Sequence, residues 1–245
     1  MSDVSNHYRD LLAADYLTMM GDFDARVRAD KGLFCGLDLE CETGRARALD
    51  LGCGPGMHSV ALTKIGYQVT AVDQSAELLD ELKSRTEGLA VHRVLGDMMK
   101  LQGAVLPGFE LAVCLGDTLP HLPSFEDVDR FLGEVHGVLA SRGQLLLGFR
   151  DLTHVLEGVD RFIPVAQTEE RIMTCFLEDR GDRVEVHDLI HRREESGWML
   201  HKSSYPKLRL SEPDVRNRLK TAGFEIVHSS VEQGQVKMLA RKVAL

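Results

Sequence analysis

With 245 residues, 44% of them hydrophobic, the chain is long enough for one well-cored domain with an embellishment and too short for two full domains. A formal charge of −9 without a basic stripe argues against a nucleic-acid partner, because phosphate backbones are bound by clustered Lys and Arg. No apolar run reaches membrane-spanning length, and the five cysteines form no C-x-x-C pair, so no membrane anchor, disulfide framework or metal site is expected. Met1 to Asn6 show neither the basic nor the apolar region of a signal peptide, and a reduced, cytoplasmic protein is the simplest expectation.

In chain order, Tyr8, Leu11, Leu12, Tyr16 and Met19 recur at helical spacing, Gly21-Asp22 interrupts, and Arg26, Val27, Leu33 and Leu37 continue. Two readings fit: an amphipathic helix pair covering one end of a sheet, or a lid that closes over a ligand. Residues 1–45 are assigned to this unit and 46–245 to the main domain. There, the apolar run Ala48-Leu49-Asp50-Leu51 meets glycines at 52, 54 and 56, and Met57 to Ile65 has helical spacing closed by Gly66. The order reads as strand, tight turn, helix. Glycines there supply unusual dihedrals and bare backbone for close approach of a ligand, while the amides opening the helix offer unpaired donors. The next strand, Gln68 to Val72, ends in Asp73, placed to accept hydrogen bonds from both hydroxyls of a ribose. A dinucleotide fingerprint would have its third glycine where Met57 stands, so the spacing favours S-adenosyl-L-methionine over NAD.

The alternation continues. Ser75 caps a helix with Leu78, Leu79 and Leu82 inward, and the strand Ala90 to Leu95 ends in Gly96-Asp97-Met98. Phe109 to Leu115 is a strand buried on both faces. Ser124 and Asp127 open a helix whose inward face is Val128, Phe131, Leu132, Val135, Val138 and Leu139, and Gln144 to Phe149 is the next strand. Such β-α alternation predicts a doubly wound parallel sheet with ligands at the carboxyl ends of its strands. After Arg150 the pattern changes: 171–176, 183–191 and 198–210 read as antiparallel strands, an insert at about 151–210. A helix capped by Ser211 and a closing hairpin, 224–229 with 235–241, follow.

The glycine turn with Asp73 resembles class I S-adenosylmethionine-dependent methyltransferases, with a Rossmann-like sheet, a helical N-terminal lid and an antiparallel β insert. Cys114-Leu115-Gly116-Asp117-Thr118 with Leu119-Pro120-His121, Leu147-Gly148-Phe149-Arg150 and Ser204-Tyr205-Pro206 are similar to landmarks of the glycine N-methyltransferase type. Gly21-Asp22 followed by Arg26 is similar to that family's lid. The resemblance implies a cofactor set of Tyr8, Tyr16, Arg26, Asp50, Gly52, Gly54, Gly56, Asp73, Gln74, Asp97, Met98, Leu115 and His121. In it Arg26 clamps the cofactor carboxylate under Tyr8 and Tyr16, Asp73 holds the ribose, and Asp97 reads the adenine amino group. Plainer readings stand beside these: Asp97 as a turn cap, Arg26 as a surface cation, and His121 as an ordinary loop histidine.

For the acceptor, the resemblance implies Arg150 on a carboxylate, for which a guanidinium fork is suited, with Tyr205 nearby; a salt bridge from Arg150 to Asp151 is the competing reading. The family pattern has asparagine where Asp117 stands, and the aromatic residues expected in the insert are replaced by His187, Asp188 and His191. The His187-Asp188 pair is expected to be strand surface. Asp117 would position an amine nitrogen, and Asp117 or His121 could take its proton. Methyl transfer to a nitrogen of a small amino acid or amine is therefore the expectation, by Asp117, His121 and Arg150. An O- or carboxyl-methyltransferase or a non-catalytic S-adenosylmethionine-binding module is the alternative. Oligomers, common in that family, would pair subunits through the insert.

Overall fold

The computed structural model describes residues 19–41 and 43–244. Seven strands form the main sheet: β1 (Arg47–Leu51), β2 (Gln68–Asp73), β3 (Val91–Leu95), β4 (Phe109–Cys114), β5 (Leu139–Arg150), β10 (Phe224–Glu232) and β11 (Gln235–Lys242). Their order is β10-β11-β5-β4-β1-β2-β3. The pairs β3-β2, β2-β1, β1-β4 and β4-β5 are parallel, and β11 runs antiparallel between β5 and β10. Because β1 and β4 lie mid-sheet with both faces covered, they are apolar almost throughout. The expected doubly wound sheet is the one that forms.

Among the described residues, one α-helix precedes these strands, α1 (Phe23–Gly36), and four lie between them: α2 (Met57–Thr63), α3 (Ala76–Arg85), α4 (Phe125–Val138) and α5 (Glu212–Thr221). Four start where short polar side chains satisfy the first free amides. Asp22 accepts from the Ala25 N–H at 2.8 Å, Ser75 from Leu78 at 3.2 Å, Ser124 from Asp127 at 3.1 Å and Ser211 from Asp214 at 3.2 Å. The inward residues of α4 are buried as the periodicity predicts. On the opposite face of the sheet α1 packs through Val27 and Phe34 into the cluster of Met57, Val60, Ala61 and Leu62. Helix α1 is therefore a fixed part of the core, while the chain up to residue 18, with Tyr8 and Tyr16, lies outside the described residues.

The insert is a second, antiparallel sheet of four strands rather than three: β6 (Phe162–Gln167), β7 (Arg171–Asp179), β8 (Arg183–Glu194) and β9 (Gly197–Leu208), in that order. Strand β6 was hidden in the sequence by Pro164, which an edge strand tolerates. Strand β9 docks the insert on the main domain. Tyr205 stacks on His121, whose ring centroid is 5.2 Å away, Lys207 pairs with Asp117, and Arg209 donates to the Leu152 carbonyl. No helix among the described residues is long and apolar enough to cross a membrane.

Two glycines test this packing with opposite signs. A Cβ at Gly66, where φ is +98°, would lie 1.9 Å from the Cys41 carbonyl oxygen. Gly66→Ala should therefore cost at least about 1–3 kcal/mol of stability. Gly32 sits exposed inside α1 with open space around its Cα, so Gly32→Ala should add about 0.5–1 kcal/mol. Urea midpoints at constant m-value report both.

Candidate cofactor and acceptor site

The glycine turn sits at the carboxyl end of β1. Gly52, Gly54 and Gly56 have φ of +67°, +51° and +97°, and a Cβ on Gly52 or Gly56 would strike Thr118 or Leu82. The turn is tied to β2 twice over. Gly52 and Cys53 donate to the Val72 carbonyl at 2.9 and 3.1 Å, and Gly54 donates to Asp73 Oδ2 at 2.8 Å. Asp73 Oδ1 accepts from the Ser75 N–H at 2.9 Å. A carboxylate has about four acceptor sites, so beyond these bonds and the Gln74 N–H that also acts on it, Asp73 keeps room to accept from a ribose hydroxyl. Burial pushes the Asp73 carboxyl above its ordinary range, and the surrounding backbone N–H groups pull it back.

One strand further, Asp97 follows β3. Its Oδ1 accepts from the Met99 N–H at 2.9 Å and from Gln74 Nε2 at 3.4 Å. The turn-cap reading of Asp97 is thus realised through one oxygen, and Gln74 links the β2 and β3 tips. Met98 and Leu115 are core side chains on opposite faces of the sheet, 9% and 5% exposed.

Beneath the turn, Asp50 is fully buried and accepts from Ser59 Oγ at 2.6 Å, while its Oδ1 has no hydrogen-bond partner among the described residues. Burial raises its carboxyl, countered by His58 and Ser59. His58 stands between two acids, Nδ1 at 4.0 Å from Asp50 and Nε2 at 3.6 Å from Asp30 of α1. No role was read for His58 or Asp30 in the sequence, since neither falls in a spaced motif. Arg26 is exposed on α1, its Nε donating to the Met20 carbonyl at 3.1 Å. Cys53 is a neutral filler, its thiol pushed well up by burial.

The residues expected on the acceptor side gather at the tips of β4 and β5. Asp117 adopts φ +69°, and its Oδ1 accepts from the Arg150 N–H at 2.8 Å while Oδ2 pairs with Lys207. Each oxygen thus has a partner, and Asp117 fastens the tips of β4 and β5 to β9. The charge introduced where the family has asparagine is answered by Lys207, which the sequence reading passed over although it lies two residues after Tyr205 on the same strand face. Arg150 is exposed and does not bridge to Asp151, which accepts instead from the Thr153 N–H at 2.9 Å. Its guanidinium is steered by its cross-strand neighbour: with the Gln235 amide oxygen turned toward it, Nη2 and Nε donate at 2.9 and 3.3 Å. Asp188 is not strand surface. It alternates inward with Val184, Val186 and Ile190 and is 4% exposed, whereas His187 turns the other way to Glu178 at 3.1 Å. No cluster of three or more metal-ligating side chains occurs among the described residues.

Sheet order, glycine turn and paired acidic strand tips together define the fold of the class I S-adenosylmethionine-dependent methyltransferases. Residues 48–143 match the family model described as Methyltransferase domain, and the cofactor is S-adenosyl-L-methionine. The chain is 28% identical over 159 residues to the glycine/sarcosine N-methyltransferase of Parasynechococcus marenigrum (strain WH8102), covering 63% of this chain and 56% of that protein. It is 30% identical over 138 residues to the enzyme of the same name from Halorhodospira halochloris, covering 56% and 51%. The chain thus spans about half the length of the curated relatives it matches. Among solved structures, an S-adenosylmethionine-dependent methyltransferase from Clostridium acetobutylicum ATCC 824 superposes with a TM-score of 0.75 at 19% identity, over 98% of both chains. The sugar N-methyltransferase KedS8 from Streptoalloteichus sp ATCC 53650 gives 0.72 at 17% identity, over 93% of this chain and 91% of that one. These structural likenesses concern the fold.

The residues present fit the cofactor: a turn closed to any Cβ at two of its glycines, a carboxylate with spare acceptor sites, and an orphaned buried oxygen on Asp50. If Asp73 holds the ribose, Asp73→Ala should weaken S-adenosylhomocysteine binding at least about tenfold, since hydrogen bonds to charged groups contribute roughly 1.5–3 kcal/mol each. Isothermal titration of the full chain measures it, and an unchanged affinity would remove Asp73 from the site.

Proposed function

We propose that the protein transfers a methyl group from S-adenosylmethionine to a nitrogen of a small amino acid or amine. The observation that carries this reading is Arg150: an exposed guanidinium at the carboxyl end of β5, oriented by Gln235 and adjoining the Asp117-Lys207 pair. A guanidinium fork held in place in this way suits a carboxylate. The relatives named glycine/sarcosine N-methyltransferase support the choice of nitrogen and of a small carboxylated acceptor.

When bound, the cofactor supplies an activated sulfonium methyl, so the chain need not generate an electrophile. Its own task is placement. Gly52, Gly54 and Gly56 would bring backbone close to the cofactor's amino-acid tail, with Asp50 beneath the turn and Arg26 at its edge, and Asp73 with Asp97 and Gln74 would hold the nucleoside. The acceptor would be oriented by Arg150, against a wall formed by His121 and Tyr205, so that its nitrogen is held ready for the transfer. Asp117 and Lys207 hold that wall and exclude water from it. Tyr8 and Tyr16 belong to the proposed cofactor cover, and the acceptor is taken to be a small molecule rather than a nucleic acid.

Release of S-adenosylhomocysteine with a panel of glycine, sarcosine, other amino acids, histidine derivatives and polyamines tests the reading. Carboxylated amines should be the best acceptors, and Arg150→Ala should raise their KM about 10- to 100-fold with a smaller change in kcat, the signature of a lost binding contact. Turnover confined to hydroxyl or carboxylate acceptors would favour O- or carboxyl-methyl transfer instead. No turnover with any acceptor, alongside intact cofactor binding, would favour a non-catalytic module.

A further inference from the structure

One imidazole stands where four elements meet below the glycine turn. His58, the second residue of α2, has Asp50 of β1 on one side and Asp30 of α1 on the other. Its Nδ1 lies 4.0 Å from Asp50 Oδ1 and its Nε2 lies 3.6 Å from Asp30 Oδ2. Its Cε1 edge adjoins the loop after β4, 3.7 Å from where a Cβ on Gly116 would sit. The next residue, Ser59, donates to the other Asp50 oxygen at 2.6 Å, so two consecutive residues of α2 address the two oxygens of one buried carboxylate. Asp30 lies one helical turn after Arg26, whose charge acts on it together with those of His58 and of Lys237 on β11. A row of charged groups thus runs from Arg26 through Asp30 and His58 to Asp50 at the foot of the turn.

The two acids need what stands between them. Burial raises both carboxyls, and Asp30 and Asp73 raise Asp50 further, whereas His58 favours the charged form of Asp30 and of Asp50 alike. Apolar packing through Val27 and Phe34 seats α1 on α2, but burial of that kind has no direction. The charged row does have one, and it ends on α1 at the helical turn that carries Arg26. We propose that His58 is a positioning residue for the cofactor's amino-acid tail: through Asp30 it fixes the register of α1 against the glycine turn, and with it the place of Arg26. His58 acts through its two acids rather than on the cofactor. This inference rests on the placement of the tail over the turn proposed above, and it is independent of which acceptor is methylated.

The test compares ligands that share the nucleoside and the thioether but differ in the tail: S-adenosylhomocysteine, which has it, and methylthioadenosine, which lacks it. In calorimetric titrations of the full chain, His58→Leu should weaken S-adenosylhomocysteine at least about tenfold and leave methylthioadenosine within about twofold. His58→Gln, which keeps one donor for one acid, should recover part of the loss. Asp30→Asn should weaken S-adenosylhomocysteine as well, and the double variant should lose little more than the larger single loss, because both changes cut one bridge. Equal weakening of both ligands, or of neither, would make His58 a side chain of the fold alone and overturn its role. Additive losses from the two single variants would overturn the route through Asp30. Should His58→Leu fail to fold, Asp30→Asn carries the same prediction with the same ligands. Wild-type affinity for methylthioadenosine no weaker than for S-adenosylhomocysteine would overturn the placement of the tail itself, and this inference with it.

Discussion

The bond from the Gly54 amide to the Asp73 carboxylate organises this molecule. It crosses from the loop after β1 to the tip of β2, at 2.8 Å, and fixes both halves of the candidate cofactor site at once. Left-handed backbone at Gly52, Gly54 and Gly56 folds the loop back on the strands, where any other residue would be strained and two would also clash. The turn orients Asp73, and Asp73 holds the turn. A half-buried carboxylate that already accepts two backbone N–H groups has its lone pairs aimed, so little reorganisation remains when a diol arrives.

The second constraint is the docking of the insert through β9 and Arg209 directly after it. Its three anchors differ in kind: a ring stack from Tyr205, an ion pair from Lys207 and a charged hydrogen bond from Arg209. All three land on the loops that follow β4 and β5. The proposed acceptor side would thus be shaped by a piece of chain far in sequence from the loops it meets, with charges from Arg150, Lys207 and Asp117.

Much of this was legible in the sequence where local chemistry and global fold agree. The N-caps at Ser75, Ser124 and Ser211, the buried runs of β1 and β4, and the glycine turn each state a local need that nothing in the fold opposes. Strand β6 was missed because Pro164 and three exposed residues, Phe162 to Pro164, mask its alternation. The start of β5 was missed because the chain passes from α4 into strand at Leu139 with no loop between. In the site, the acids at strand tips could be found because a tip position is itself a signal. Lys207 and Asp188 could not be placed the same way, since their meaning comes from partners 90 and 13 residues away in sequence. Strict alternation with Val184, Val186 and Ile190 did mark Asp188 as inward, against the surface assignment it received.

The claim on which everything else stands is that a nucleoside lies across the β1 and β2 tips with its diol on Asp73. A crystal structure of the full chain with S-adenosylhomocysteine tests it most directly. Both ribose hydroxyl oxygens should lie within hydrogen-bonding distance of Asp73, about 2.6–3.2 Å, with the amino-acid tail over Gly52 and Gly54. Density for the nucleoside at any other place, or a ribose turned away from that carboxylate, would contradict the account.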